Sequence, residues 1–342
     1  MRMRRFVVTG VAVVLGVSAV LAGAGSVPAS ADPVPWPPAI PIAARLAGAD
    51  RYGTSVAVAQ AGFPDGAPVV FIASGENFPD ALSAGPAAVH EGGPLLLTRQ
   101  DVLPSDVADE ITALKPDRIV IVGGTAAVSA GVEESLKLLA PSVSRIAGAD
   151  RYATSLLVAQ TVFTGEVSTV YVATGRDFPD ALSAGPAAAK AGGPVLLVDG
   201  LQGGPSQRMV DTLQQLTPRI IIIVGGPEAV SETYLRNLRS GASATIRLYG
   251  EDRLVTSAAI ANYAWDTAPM AYLASGWAFP DALVGSVLAG QNGDPLYVSY
   301  PGCQNPATAG SLIALGVSQV TLIGGTSVIS DSVTAGGSTC IA

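Results

Sequence analysis

Residues that most often do chemistry at neutral pH are scarce in this chain. Its 342 residues include one histidine, His90, two cysteines, Cys303 and Cys340, and lysine only at 115, 137 and 190. So small a set excludes Cys/His zinc clusters and argues against histidine-dependent nucleophilic triads. The net charge is −8, with no diffuse basic field, which argues against general binding to nucleic-acid backbones. Charged residues make up only 13% of the chain and hydrophobic residues 49%, a balance that excludes intrinsic disorder. The length allows two or three domains, each large enough to build its own core.

Long apolar runs are also missing, except at the start. Arg2, Arg4 and Arg5 precede an uncharged apolar stretch from Phe6 to Gly25, and Ala29-Ser30-Ala31 follows. This pattern predicts a secretory signal peptide over residues 1–31, cleaved after export. An uncleaved membrane anchor is the rival, but four glycines weaken the stretch as a permanent helix. Cleavage removes three arginines and no acid, taking the charge from −8 to −11, and leaves no membrane segment. In an oxidising compartment Cys303 and Cys340 most simply form one disulfide, worth about 3–4 kcal/mol on the chain-entropy model. Two free buried thiols are the alternative.

Residues 32–42 are proline-rich and read as an extended lead-in. One unit is then written three times. Arg45-Leu-Ala-Gly48-Ala-Asp50-Arg51-Tyr-Gly-Thr54-Ser55 returns at Arg145, Gly148, Asp150, Arg151, Thr154 and Ser155. It returns more loosely at Arg247, Gly250, Asp252, Arg253, Thr256 and Ser257. Phe-Pro-Asp-Ala-Leu recurs at 78–82, 178–182 and 279–283, and Gly-Gly closes an apolar run at 123–124, 225–226 and 324–325. The repeats are assigned to 43–143, 144–245 and 246–342.

Inside a unit, helix-like and strand-like segments alternate. In the first unit, 69–73, 95–98 and 118–122 read as buried strands. Helices are expected after Thr54 and Ser55, which can cap one, from Pro79, over 103–114 and over 132–139. Strands this apolar, alternating with helices, indicate parallel sheets covered on both faces, hence three small three-layer α/β modules.

The R-x-x-G-x-D-R-x-x-T-S opening, the G-x-x-F-P-D-A-L core and the I-V-G-G-x-x-x-V-S ending together resemble the cell wall binding repeat 2 family. The resemblance covers residues 45 to about 340. It implies Rossmann-like modules in a closed pseudo-trimer, exported to the bacterial surface and attached non-covalently to an anionic secondary polymer of the wall. Neither end of the chain leaves room for a hydrolase domain, so a stand-alone binding module is expected. The third unit departs from the pattern, with Leu254-Val255 in place of Tyr-Gly or Tyr-Ala and Gly293-Asp294-Pro295 in place of Gly-Gly-Pro. The run after that turn differs in each copy, so equal ligand binding by all three units is not implied.

Arg45, Asp50 and Arg51, with their copies Arg145, Asp150, Arg151, Arg247, Asp252 and Arg253, are the one charged constellation present in every unit. Guanidinium forks at these sites suit phosphate or carboxylate oxygens of a polymer. The alternative is an Arg–Asp pair holding one unit to the next. Asp80, Asp180 and Asp281 invite a catalytic assignment, but glycosidases need two carboxyls and no second acid repeats beside them. A place at a helix terminus explains them better. The Gly-Gly loops lack a nucleotide-binding pattern and read as tight turns. His90 aligns with Lys190 and Gln291, a surface position. Trp265 and Trp277 belong to the third unit alone and suit either the core or a sugar ring. No metal, cofactor or catalytic residue is assigned. The chain reads as a non-catalytic binder of a wall polymer, with a self-assembling surface-layer or adhesive subunit as the alternative and a wall hydrolase as the weakest option.

Overall fold

The computed structural model describes residues 37–77, 79–238, 242–337 and 340. The expected signal peptide, most of the proline-rich lead-in and Phe78 lie outside the described residues. The first unit contributes strands β1 (Ile42–Leu46), β2 (Val69–Ser74), β3 (Leu95–Thr98) and β4 (Arg118–Val122). Its helices are α1 (Arg51–Gly62), α2 (Pro79–Glu91), α3 (Ser105–Leu114) and α4 (Ala130–Leu136). The second unit repeats them as β5 (Ser142–Ile146), β6 (Thr169–Thr174), β7 (Val195–Val198) and β8 (Ile220–Val224). Its helices are α5 (Arg151–Val162), α6 (Pro179–Lys190), α7 (Gln207–Leu216) and α8 (Glu232–Leu238). In the third unit the strands are β9 (Ala244–Leu248), β10 (Met270–Ser275), β11 (Leu296–Ser299) and β12 (Gln319–Ile323). Helices α9 (Arg253–Ala264), α10 (Phe279–Asn292) and α11 (Pro306–Ala314) accompany them, and a 3₁₀ turn spans Asp331–Thr334.

The strands form three parallel four-stranded sheets, ordered β3-β2-β4-β5, β7-β6-β8-β9 and β11-β10-β12-β1. β-branched runs buried on both faces drive this arrangement: all six residues of Val69–Ser74 are buried, as are Ile119–Val122 and Ile221–Val224. Each sheet takes its fourth strand from the opening of the next repeat. β5 pairs with β4 and β9 with β8, so sheet hydrogen bonding crosses the repeat boundaries read from the sequence. β1, at the beginning, pairs in parallel with β12, near the end.

Helices α2, α6 and α10 each pack on the other two. Their small residues permit the close approach. A Cβ on Gly290 would stand 3.0 Å from Ala189 Cβ and 3.2 Å from Val89 Cγ2, where the three helices meet. Ser286 of α10 faces both Gly85 and Gly185 at 3.2 Å from the same built position.

Thr54 and Ser55 do not cap a helix. α1 begins at Arg51, and Asp50 caps it by accepting from Tyr52 N and Gly53 N at 2.9 and 3.0 Å. A carboxylate caps as well as a hydroxyl does, and here it adds charge at the positive end of the helix dipole. Thr54 and Ser55 therefore lie inside the first turns, buried, and serve the joint described next.

Candidate functional site

The strand order of each sheet puts its topological switch between β2 and β4, β6 and β8, or β10 and β12. Open parallel sheets present their ligand crevice there, outside the carboxyl ends of the strands. In this molecule the crevice of each unit receives side chains from the opening motif of another unit. Asp180 of the second unit meets Arg253 and Thr256 of the third. Asp80 of the first meets Arg151 and Thr154 of the second, and Asp281 of the third meets Arg51 and Thr54 of the first. Three joints are built to one plan.

Each joint balances the same forces. Burial pushes the Asp180 carboxyl up to about 6, and Asp177 adds to the rise, while Arg253 and a hydrogen bond from Thr256 oppose it. Burial likewise raises Asp80, opposed by a hydrogen bond from Thr154 and by Arg151. Asp281 is raised by burial too, opposed by Thr54 and Arg51. The same threonine hydroxyls accept from Gly48 N, Gly148 N and Gly250 N at 3.0–3.1 Å, which ties the motif's loop to the joint. The Gly-Gly loops complete the crevice. Gly123, Gly225 and Gly324 have φ of 120°, 105° and 110°, and a Cβ there would stand 2.5–2.6 Å from the carboxylate of Asp80, Asp180 or Asp281. Only glycine accommodates both the backbone and the close approach.

The six arginines reach backbone carbonyls. Arg51, Arg151 and Arg253 donate from Nη1 to Gly75 O, Gly175 O and Gly276 O at 2.5, 2.8 and 2.8 Å, just ahead of the Phe-Pro-Asp-Ala-Leu segments. Arg45, Arg145 and Arg247 donate from Nη1 to Gly324 O, Gly123 O and Gly225 O at 2.6–2.7 Å, fixing the Gly-Gly loops. They also pair with acids, Arg45 with Asp331, Arg145 with Glu133 and Arg247 with Glu232. Asp150 and Asp252 cap α5 and α9 as Asp50 caps α1. Thus Arg51 and Arg151 face the buried aspartate of another unit, and Arg253 faces Asp180 and, at 3.9 Å, the exposed Asp177 of the second unit, rather than the aspartates beside them in sequence. Ser55, Ser155 and Ser257 are buried in all three units, and the first two accept from Leu97 N and Leu197 N, tying helix to strand.

A cleft of about 550 Å³ remains beside the joint of units two and three, lined by Arg176, Asp177, Asp180, Tyr249, Asp252 and Arg253 among others. Arg253 lies 5.4 Å from the Trp277 ring and 6.0 Å from that of Phe178, and Trp277 stacks on Tyr300 at 4.7 Å. Trp277 is exposed, whereas Trp265 is buried and donates from Nε1 to Gly293 O at 2.6 Å, so the two tryptophans do different work. His90 is exposed. Cys303 and Cys340 form a disulfide with Cα atoms 5.2 Å apart, and Cys340 N donates to Gln304 O at 2.9 Å. Among the described residues, no group of three or more His, Cys, Asp or Glu side chains is placed to hold a metal, and no helix is long and apolar enough to cross a membrane.

The chain is similar to several known proteins. The chain is 28% identical over 291 residues to the N-acetylmuramoyl-L-alanine amidase LytC of Bacillus subtilis, covering 84% of this chain and 56% of the amidase. It is 31% identical over 270 residues to the amidase enhancer of the same organism, covering 78% and 36%. The chain thus spans about half or less of the length of these relatives. Among solved structures, Cwp8 from Clostridium difficile superposes with a TM-score of 0.77 at 26% identity, over 84% of this chain and 50% of that one. Cwp6 from the same organism shares the fold, with a TM-score of 0.80 at 24% identity, over 88% and 48%. The model of cell wall binding domain 2 (CWB2) matches three times, at residues 45–133, 145–235 and 247–334, and each match opens on the first arginine of a joint: the chain belongs to the cell wall binding domain 2 family.

Proposed function

We propose that the protein is a non-catalytic module that holds itself non-covalently to a bacterial wall glycopolymer after export. The observation that carries this proposal is the extent of the three matched copies, which account for nearly the whole chain from residue 45 to residue 334. The relatives named for amidase activity or its enhancement are longer than the shared region, which covers 56% and 36% of them, so their names do not carry a reaction over to this chain. The repeated carboxylates support the same view. Asp80, Asp180 and Asp281 are enclosed in joints, each facing an arginine and a threonine, with no second acid at glycosidase spacing repeated beside them.

Pairing of β1 with β12, and of Asp281 with Arg51, supports a closed arrangement of the three units around a pseudo-threefold axis. In that arrangement the six arginines act as joint residues. With a charge of −11 after signal removal, an anionic polymer is repelled by the molecule as a whole, so attachment depends on local features outside the joints. The test is sedimentation of the purified protein with isolated walls, before and after their secondary polymers are stripped. Retention on intact walls, loss on stripped walls and no release of reducing sugar or free amines are expected. Equal retention on both, assembly into sheets without walls, or measurable hydrolysis overturns the proposal.

A further inference from the structure

The joints repeat, but the carboxyl ends of the edge strands do not. Directly after β3, β7 and β11 stand Arg99, Asp199 and Tyr300. In unit one Arg99 lies over the Tyr52 ring at 4.6 Å and reaches Asp50 Oδ2 at 3.4 Å. In unit three Tyr300 turns to Trp277, and the following loop is buried at Gln304 and pinned by the Cys303–Cys340 bond. In unit two the aspartate is short and the space stays open. A hollow of about 560 Å³ lies between the N-termini of α5 and α7, lined by Asp150, Tyr152, Asp199, Gln202, Arg208 and Tyr234 among others. That volume falls within the roughly 300–1,000 Å³ of small-molecule sites.

We propose that this hollow of unit two takes one sugar ring, neutral or amine-bearing. Tyr152, partly exposed, offers aromatic surface to the C–H face of a pyranose above the buried Tyr234, while the carboxylate, amide and guanidinium groups suit its hydroxyls. Asp199 Oδ2 accepts from Gln202 Nε2 at 3.0 Å. Its Oδ1 is buried without a hydrogen-bond partner, since Arg176 Nε stands 3.7 Å away, beyond hydrogen-bond distance. The exposed part of the Asp199 side chain, 26%, excludes Oδ1, so a sugar hydroxyl or amine would meet this carboxylate at Oδ2, beside Gln202. Two carboxylates, Asp150 and Asp199, face the hollow against one guanidinium, Arg208, which disfavours a uronate or phosphate ring. Only the source of the sugar rests on the wall-binding proposal; the hollow's chemistry does not.

Saturation-transfer NMR on the whole exported chain, with glucosamine, N-acetylglucosamine and glucuronic acid as probes, tests this assignment. Two variants borrow what other units carry at the same position. Asp199→Arg introduces the residue of unit one, here beside Arg176 where unit one has Glu76, and Tyr152→Leu introduces that of unit three, so melting is recorded for each. At least one of the two amino sugars is expected to bind, at least tenfold more weakly to Asp199→Arg and several-fold more weakly to Tyr152→Leu, with glucuronic acid not bound. No transfer from either amino sugar, unchanged transfer in a folded variant, or preference for glucuronic acid overturns the site. Should one variant unfold, the other decides. Wall sedimentation run in parallel separates the two proposals: retention without sugar binding removes the hollow alone, and sugar binding without retention removes the wall attachment alone.

Discussion

The joints and the strand-end hollows occupy neighbouring parts of each unit, yet they have diverged in opposite ways. All three joints use the same aspartate, arginine, threonine and glycine, with donor distances that agree within a few tenths of an ångström. The three strand ends hold Arg99, Asp199 and Tyr300, which meet the Tyr52 ring, an open hollow and the Trp277 ring respectively. Where one unit meets another, every unit answers the same constraint in the same way. Where that constraint is absent, the residues are free to differ, and ligand preference has room to arise. The repeated charged motif is accordingly proposed as scaffold, and arginine substitution followed by wall retention and melting decides it against polymer contact.

Four changes sharpen that contrast, from the largest expected effect to the smallest. Replacing both Cys303 and Cys340 by serine should cost about 4 kcal/mol on the chain-entropy model. Hydrogen exchange should place the loosening in unit three around Gln304 and leave the joint of units one and two protected. Uniform loosening would show that the bond supports the joints as well. Gly225→Val should cost about 3 kcal/mol in denaturant unfolding, because its φ of 105° and its approach to Asp180 both refuse a side chain. A variant as stable as the parent would remove the steric basis of the joint.

Asp180 supplies a pH test. Its folded pKa lies above the ordinary value, so its stabilising contribution is complete below that value and is lost as pH rises through about 6. Between pH 5 and 7.5 this group alone should withdraw about 1.4 kcal/mol. Asp180→Asn, which keeps an acceptor for Thr256, should lack that slope when melting is followed across the range. An unchanged slope would mean that the carboxyl is not the buried group the joint requires. Asp252→Ala, removing only the α9 cap, should cost about 1 kcal/mol, and a loss above about 3 kcal/mol would give Asp252 a role beyond capping.

Much of this architecture was legible in the sequence. The strands at 95–98 and 118–122 match the apolar runs residue for residue, and the three α/β modules follow from periodicity alone. The strands that open each repeat were not legible. Ile-Ala-Ala-Arg-Leu, Ser-Val-Ser-Arg-Ile and Ala-Thr-Ile-Arg-Leu are half-exposed edge strands whose small and polar residues form no apolar run. Their partners also belong to another repeat, and β1 pairs with a strand at the far end of the chain. The charged motif was visible as a repeat, but its internal pairing was not readable. Asp50 stands next to Arg51 and suggests a pair, whereas the buried acid facing Arg51 is Asp281, brought near only by the fold. The variable positions 99, 199 and 300 were visible as differences, but they form no motif, and their meaning depends on what surrounds each strand end.

Substituting Arg51, Arg151 and Arg253 by alanine, singly and together, tests the central claim most directly when wall retention and thermal melting are measured on the same four proteins. If these residues hold the joints, every variant melts lower than the parent, the triple variant lowest, and retention on walls stays intact at temperatures below each melt. Normal melting with lost retention, steepest in the triple variant, would make the arginines the polymer contacts and contradict the account.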